Sequence, residues 1–63
     1  MFQEFDLVRL VHGVPAAGLP PGTVAVVLEV SQLPDPHYEI EVTDDQGRTV
    51  YQGSATPEQL EPA

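Results

Sequence analysis

One segment of the chain joins a rigid turn to its longest run of β-branched residues. Residues 20–22 read Pro-Pro-Gly, and residues 23–30 that follow read TVAVVLEV. Proline fixes φ and removes a backbone donor, whereas β-branched side chains suit a pleated strand. The even positions of this strand form one apolar stripe: Val24, Val26, Leu28 and Val30. Because Ala25 and Val27 make the opposite face apolar too, we predict a central strand covered on much of both faces.

The segments on either side of this strand also have the character of β-structure. Residues 5–11 predict a first strand with Val8 and Leu10 inward and Arg9 outward. Residues 12–22 hold three prolines and three glycines, which predicts a long stiff loop with neither helix nor central strand. Residues 37–43 alternate cleanly and predict a strand whose inward side chains are Tyr38, Ile40 and Val42.

The last third of the chain predicts a hairpin and a short closing element. Residues 44–47 form the turn, with Gly47 in the left-handed conformation, and residues 48–54 return as a strand. Gly53 marks a bulge or a close approach of backbones. Thr56, Pro57 and Gln59 predict a single helical turn, after which Leu60 plugs the end of the domain and the tail adds a short strand. The whole pattern is that of an all-β, five-stranded SH3-like barrel in one domain, residues 1–63.

Length and composition limit what so small a domain does alone. A chain of 63 residues buries only about 60% of the surface that its unfolded state exposes, so its stability is marginal. It has no cysteine for a disulfide or a thiolate metal site. Small domains without such staples gain stability by association, so we expect a subunit or a homo-oligomer. Residues 1–6 lack a secretory signal pattern and no long apolar run follows, so we expect a cytoplasmic protein without membrane contact.

The charge balance is strongly acidic. Ten Asp and Glu face only Arg9 and Arg48, for a formal net charge of −8. Such a field repels phosphate backbones and anionic lipids, so the sequence argues against nucleic-acid binding. Two explanations of the acidity stay open, solubility alone and steering toward a basic protein surface.

No pattern of residues predicts catalysis or metal binding. His12 and His37 are only two potential ligands, and a functional zinc site needs three protein ligands at convergent positions. No metal or cofactor is therefore expected. Four carboxylates gather on one outward strand face and its adjoining turn: Glu39, Glu41, Asp44 and Asp45. Acid–base chemistry requires a cleft that separates their pKa values, and an exposed strand face offers none. The sequence therefore predicts a protein that is not an enzyme.

Two surfaces are candidates for contact with another protein. The first is the proline-stiffened loop, with Val14, Pro15, Leu19 and Pro20, which would lose little entropy on binding. The same loop has a second interpretation, in which Val14 and Leu19 fold back over one mouth of the barrel. The other candidate surface is the carboxylate group of residues 39–45. The leading hypothesis is a non-catalytic protein-interaction module, and the alternative is an acidic antitoxin or immunity protein that neutralises a basic toxin.

Several short strings, in order, resemble one family of small bacterial proteins. They are DLVRL at 6–10, GL at 18–19, GTV at 22–24, YEIEV at 38–42, DQG at 45–47 and QLEP at 59–62. The family is domain of unknown function 4926, and the resemblance runs over nearly the whole chain. It implies a shared fold and no stated activity.

A more distant resemblance is to the SH3-like accessory subunits of photosynthetic complexes, such as the photosystem I reaction-centre subunit IV. It is carried by VRL at 8–10, GTV at 22–24 and LE at 60–61. Those subunits dock on larger assemblies and perform no chemistry of their own. They have basic and aromatic residues in the first long loop, whereas this loop reads VPAAGLP at 14–20, so only the fold is implied.

Overall fold

A computed structural model describes residues 1–63 and places five strands in one antiparallel sheet. The strands are β1 (Leu7–Leu10), β2 (Thr23–Ser31), β3 (His37–Thr43), β4 (Thr49–Ala55) and β5 (Leu60–Pro62). Their order across the sheet is β4-β3-β2-β1-β5. The only helical elements are two single 3₁₀ turns, Pro15–Ala17 and Pro57–Gln59. The prediction of a small all-β domain with five strands is confirmed.

The sheet curls around a core to which every strand contributes. The buried side chains are Val8, Leu10, Ala25, Val27, Tyr38, Ile40, Val42, Ala55 and Leu60, and they form one cluster. Ala55 on one edge strand and Leu60 on the other belong to the same cluster, which a flat sheet would keep apart. The edge strands β4 and β5 exchange no backbone pairing, so the barrel is open along a seam between them. No helix in the structure has the length and apolar character that crossing a lipid bilayer requires.

Strands β1 and β3 follow the predicted alternation. Val8 and Leu10 are buried while Arg9 is exposed, and on β3 the side chains of Tyr38, Ile40 and Val42 are buried. Strand β1 is shorter than the predicted 5–11, because it begins at Leu7 and ends at Leu10. Phe5 has a φ of +70°, outside the extended region, and its amide donates to the Val27 carbonyl.

The buried face of β2 differs from its most apolar stripe. Ala25 and Val27 face the core, whereas Val24 is exposed. A register shift between Val27 and Glu29 leaves Leu28 without a partner on β3. Such a bulge reverses the alternation, so Val30 beyond it packs against the core again. The four even positions therefore do not share one face, as the sequence pattern had suggested.

The first long loop contains more regular structure than predicted. Residues 12–22 contain no α-helix and no strand of the sheet, as predicted, but Pro15–Ala17 forms a single 3₁₀ turn within the loop. Proline is tolerated at the first position of such a turn because its missing N–H has no partner there. Gly18 ends the turn in the left-handed conformation, and Val14 then pairs with Leu19 in an isolated bridge.

The hairpin turn between β3 and β4 is as predicted, but Gly53 has a different role. Gly47 has a φ of +80° and its amide donates to the Asp44 carbonyl. The bulge in β4 lies at Val50, which has no partner between the pairs Val42–Tyr51 and Thr43–Thr49. A Cβ on Gly53 would lie 2.6 Å from the Tyr51 hydroxyl oxygen, so the close neighbour of this glycine is a side chain and not a backbone.

The C-terminal residues close the other edge of the sheet, as predicted. Pro57–Gln59 is a single 3₁₀ turn, begun by a bond from the Thr56 amide to the Gln59 side-chain oxygen at 2.9 Å. Leu60 is buried, and Leu60–Pro62 pairs with β1 as the fifth strand.

Candidate functional site

The predicted loop residues divide between the core and the solvent. Val14 and Leu19 are joined by two backbone bonds of 2.8 and 3.1 Å, and both pack against the core cluster. Pro15 and Pro20 are exposed beside them. The structure thus places Val14 and Leu19 as the second interpretation of this loop describes, over one mouth of the barrel. A contact between this loop and a partner stays a prediction.

The first loop borders a pocket of about 210 Å³ at the open seam. Its apolar lining comes from the loop, from β4 and from the core: Leu10, Val14, Ile40, Tyr51 and Ala55. His12, Ser54 and Gln59 add polar groups to the lining. The pocket lies beside β4, one of the two edge strands of the sheet.

The convex side of the sheet carries carboxylates next to exposed aliphatic side chains. The cross-strand pairs give this arrangement row by row. Leu7 on β1 faces Val26 on β2, which in turn faces Glu41 on β3. In the adjacent row, Glu29 on β2 lies directly opposite Glu39 on β3. We call this surface the outer face, defined by Leu7, Val24, Val26, Glu29, Glu39 and Glu41. Arg9 lies at its β1 edge, between Val24 and Glu61 in the ladder.

Two aliphatic members of the outer face are exposed to solvent. Leu7 is 61% exposed and Val24 is 42% exposed. Neither residue was among the sequence candidates, although the pattern held a signal. Leu7 and Val8 are adjacent in one strand, so only one of them can face the core, and the other must face the solvent.

The predicted carboxylates belong to two different local structures. Glu39 and Glu41 are half-buried on β3 and accept hydrogen bonds from the hydroxyls of Ser54 and Thr49 on β4. Asp44 instead organises the hairpin turn, and Asp45 is exposed beside it. The four residues therefore lie near each other, but only the two glutamates are part of the outer face.

The pKa of the Asp44 carboxyl lies below its ordinary value. The backbone N–H of Arg48 and then that of Gln46 donate to its carboxylate, each at 2.9 Å, and both lower the pKa. The Arg48 guanidinium adds a bond of 2.9 Å to the second oxygen. These contacts stabilise the turn itself, which is the ordinary role of aspartate at such a position.

Both arginines are engaged within the chain. Arg48 pairs with Asp44, and Arg9 donates to the Gly22 carbonyl at 3.1 Å while lying opposite Glu61 in the ladder. No group of three or more His, Cys, Asp or Glu side chains converges in the geometry of a metal site. The sequence prediction that His12 and His37 do not form a metal centre is not tested by this geometry and stays a prediction.

Comparison with known proteins yields one match. No curated protein and no solved structure is significantly similar to the chain, so the resemblance to accessory subunits of photosynthetic complexes stays a prediction. The sequence model of one family, described as domain of unknown function 4926, matches residues 4–62. These residues include all five strands, the seam pocket and the outer face. The chain belongs to the family of domain of unknown function 4926.

Proposed function

We propose that this chain is a non-catalytic protein-interaction module that binds a basic protein through its outer face. The observation that carries the proposal is the exposed pair Leu7 and Val24 on the same side of the sheet as Glu29, Glu39 and Glu41. Exposed aliphatic groups are a favourable source of binding free energy, and the surrounding charges select the sign of the partner.

The pairing of Glu29 with Glu39 supports a binding role more than a structural one. Like charges placed directly opposite each other in a ladder destabilise a sheet. A basic side chain of a partner would neutralise both carboxylates at once. The chain places no such cation next to this pair, since Arg9 lies opposite Val24 and Arg48 pairs with Asp44.

The proposal is tested by affinity capture with the full chain immobilised and an extract of its native cells applied. One variant carries Glu29→Gln, Glu39→Gln and Glu41→Gln, and a second carries Leu7→Ser and Val24→Ser. We expect both variants to retain less of a basic partner than the wild type, and we expect added NaCl to weaken capture by the wild type.

A matched control removes three negative charges away from the outer face. It carries Glu4→Gln, Asp35→Asn and Glu58→Gln, all at exposed positions. If the control loses the partner as completely as the glutamine variant of the outer face, capture depends on net charge alone and the proposed site is wrong. Circular dichroism and thermal melting of each variant establish that the fold is retained.

The antitoxin or immunity alternative uses the same charge in a different role. The net charge of −8 suits the neutralisation of a basic toxin as well as the docking of a basic subunit. The captured partner decides between them when it is expressed alone. Growth arrest that co-expression of this chain relieves would favour the antitoxin, whereas a harmless partner would favour the docking module.

A further inference from the structure

The two edge strands of the sheet differ greatly in how well they are protected against pairing with another chain. Strand β5 has only three residues, and two of them are Glu61 and Pro62. Strand β4 has seven residues and contains neither a charged residue nor a proline. Short length, charge and proline are the devices that prevent an edge from pairing with another chain. Strand β4 has only the bulge at Val50, near its beginning.

The backbone of β4 has partners on one side only. It pairs with β3 across the register from Tyr38–Ala55 to Thr43–Thr49 and has no second neighbour in the sheet. None of the backbone hydrogen bonds outside the ladders involves residues 49–55. The N–H and C=O groups that point away from β3 are therefore free to pair with a further strand.

The seam pocket lies on the inward side of this edge. Tyr51, Gly53 and Ala55 are the inward residues of β4, since they pair with Val42, Ile40 and Tyr38. Tyr51 and Ala55 line the pocket, whose volume is about 210 Å³. Pockets for drug-sized molecules span about 300–1,000 Å³, so this one is better suited to a single aliphatic side chain.

The outward side of the same edge is acidic. Gln52 and Ser54 on β4 pair with Glu41 and Glu39 on β3. Neighbouring strands lie about 4.8 Å apart, so a strand added to β4 would be roughly 10 Å from β3. Lysine and arginine side chains extend far enough along a surface to approach carboxylates at that spacing.

We propose that β4 accepts an extended segment of a partner protein as a sixth strand, in which aliphatic and basic side chains alternate. Successive side chains of a strand point to opposite faces, so the aliphatic ones lie on the inward side, where one of them enters the seam pocket, while the basic ones meet Glu39 and Glu41. The inference rests on the proposed function for the charge of the partner and adds its conformation. A second copy of this chain is a poorer occupant, because each copy carries a net charge of −8.

The test uses two synthetic peptides that have the same amino-acid composition and differ in the order of their residues. The first alternates arginine and leucine over six residues, and the second places three arginines before three leucines. Fluorescence anisotropy with the full chain should show that the alternating peptide binds about tenfold more tightly. Equal affinities of the two peptides would overturn the proposal, since net charge alone would then explain binding.

Hydrogen exchange measured by NMR locates the bound peptide. We expect the alternating peptide to slow exchange of alternate amides in residues 51–55, and to leave the amides of β5 unchanged. Binding without protection in β4 overturns strand addition. In that case, capture that still depends on Glu29, Glu39 and Glu41 leaves the proposed function standing, so the two failures are distinguishable.

Charge variants at the edge give a second readout that does not depend on the pocket. Gln52 is exposed on the outward side of β4. Gln52→Lys should therefore lower the affinity for the alternating peptide several-fold, and Gln52→Glu should raise that affinity. The control Ala63→Lys adds the same charge next to the opposite edge strand and should leave affinity nearly unchanged. An equal loss in Ala63→Lys, or a β4-linked dimer of the free chain in sedimentation, would overturn the proposal.

Discussion

Gly13 occupies a position at which no other residue fits without a backbone shift. Its φ is +63°, and a Cβ there would lie 2.2 Å from the Leu19 carbonyl oxygen and 2.5 Å from the Pro20 carbonyl carbon. Gly18 has a similar φ of +74°, but nothing lies within 4 Å of its Cβ position. The two glycines therefore separate the cost of a left-handed backbone from the cost of a steric clash.

We expect Gly13→Ala to lower the free energy of unfolding by about 3 kcal/mol or more, since it adds a backbone clash to the conformational strain. Gly18→Ala should cost only about 1–2 kcal/mol, the usual penalty for the left-handed region. Urea denaturation of both variants measures the difference. Similar losses in the two variants would mean that the loop moves away from Gly13 at little cost.

Asp44 links the stability of the hairpin to pH. The N–H groups of Arg48 and Gln46 bind its charged form and hold its pKa below the ordinary value of aspartate. A group whose pKa is lower in the folded state adds stability that is complete above its unfolded pKa. That stability is lost as the pH falls through the folded pKa, when the carboxylate becomes protonated in both states.

The variant Asp44→Asn should be less stable than the wild type at pH 7, because an amide accepts these bonds without the charge. The difference should shrink as the pH falls below about 4, the range in which unfolded aspartate becomes protonated. Thermal unfolding of both proteins from about pH 2 to about pH 7, a range that brackets the ordinary aspartate pKa, measures this difference in stability. The control Asp45→Asn removes the same charge from an exposed neighbour and should change stability little at pH 7.

Strand β3 was predictable from the sequence while the faces of β2 were not. On β3 every second residue is polar, so the alternation identifies Tyr38 and Ile40 as inward. On β2 both faces are apolar, and the choice between them is made by the bulge at Leu28. A bulge is set by the pairing with the neighbouring strand, which no local pattern records. The same reason explains why the bulge of β4 is at Val50 and not at Gly53.

The pairing of β2 with β3 predicts that one substitution raises the stability of the fold and weakens binding of a partner. Glu29→Gln removes one of two like charges that face each other, so it should raise the free energy of unfolding by roughly 0.2–1 kcal/mol. The same change should weaken capture of a basic partner. Glu58→Gln, on the second 3₁₀ turn, should alter neither property. A loss of stability in Glu29→Gln would show that Glu29 has a structural role instead.

The candidate site as a whole was only partly predictable. The acidic members Glu39 and Glu41 follow from the outward positions of a clean strand. The aliphatic members Leu7 and Val24 did not stand out, because an apolar residue is expected in the core until its strand partners are known. The open edge of β4 depends on which strands are neighbours, and strand order is a property of the folded sheet. Local sequence therefore predicted the charges of the site, and tertiary pairing determined its apolar part.

The charge of the complete molecule predicts an unusual response to salt. The 63 residues carry a net charge of −8, and the chain has a single ion pair, Arg48–Asp44, so repulsion between carboxylates exceeds attraction. NaCl at about 0.15 M screens charges beyond roughly 8 Å, and we therefore expect the melting temperature to rise between low salt and this concentration. The variant Glu29→Gln, Glu39→Gln and Glu41→Gln should show a smaller rise, since part of the repulsion is already removed. A melting temperature that falls with NaCl would mean that attractive pairs dominate the electrostatics of the fold, and the outer face would then lack the unbalanced charge that binding a basic partner requires.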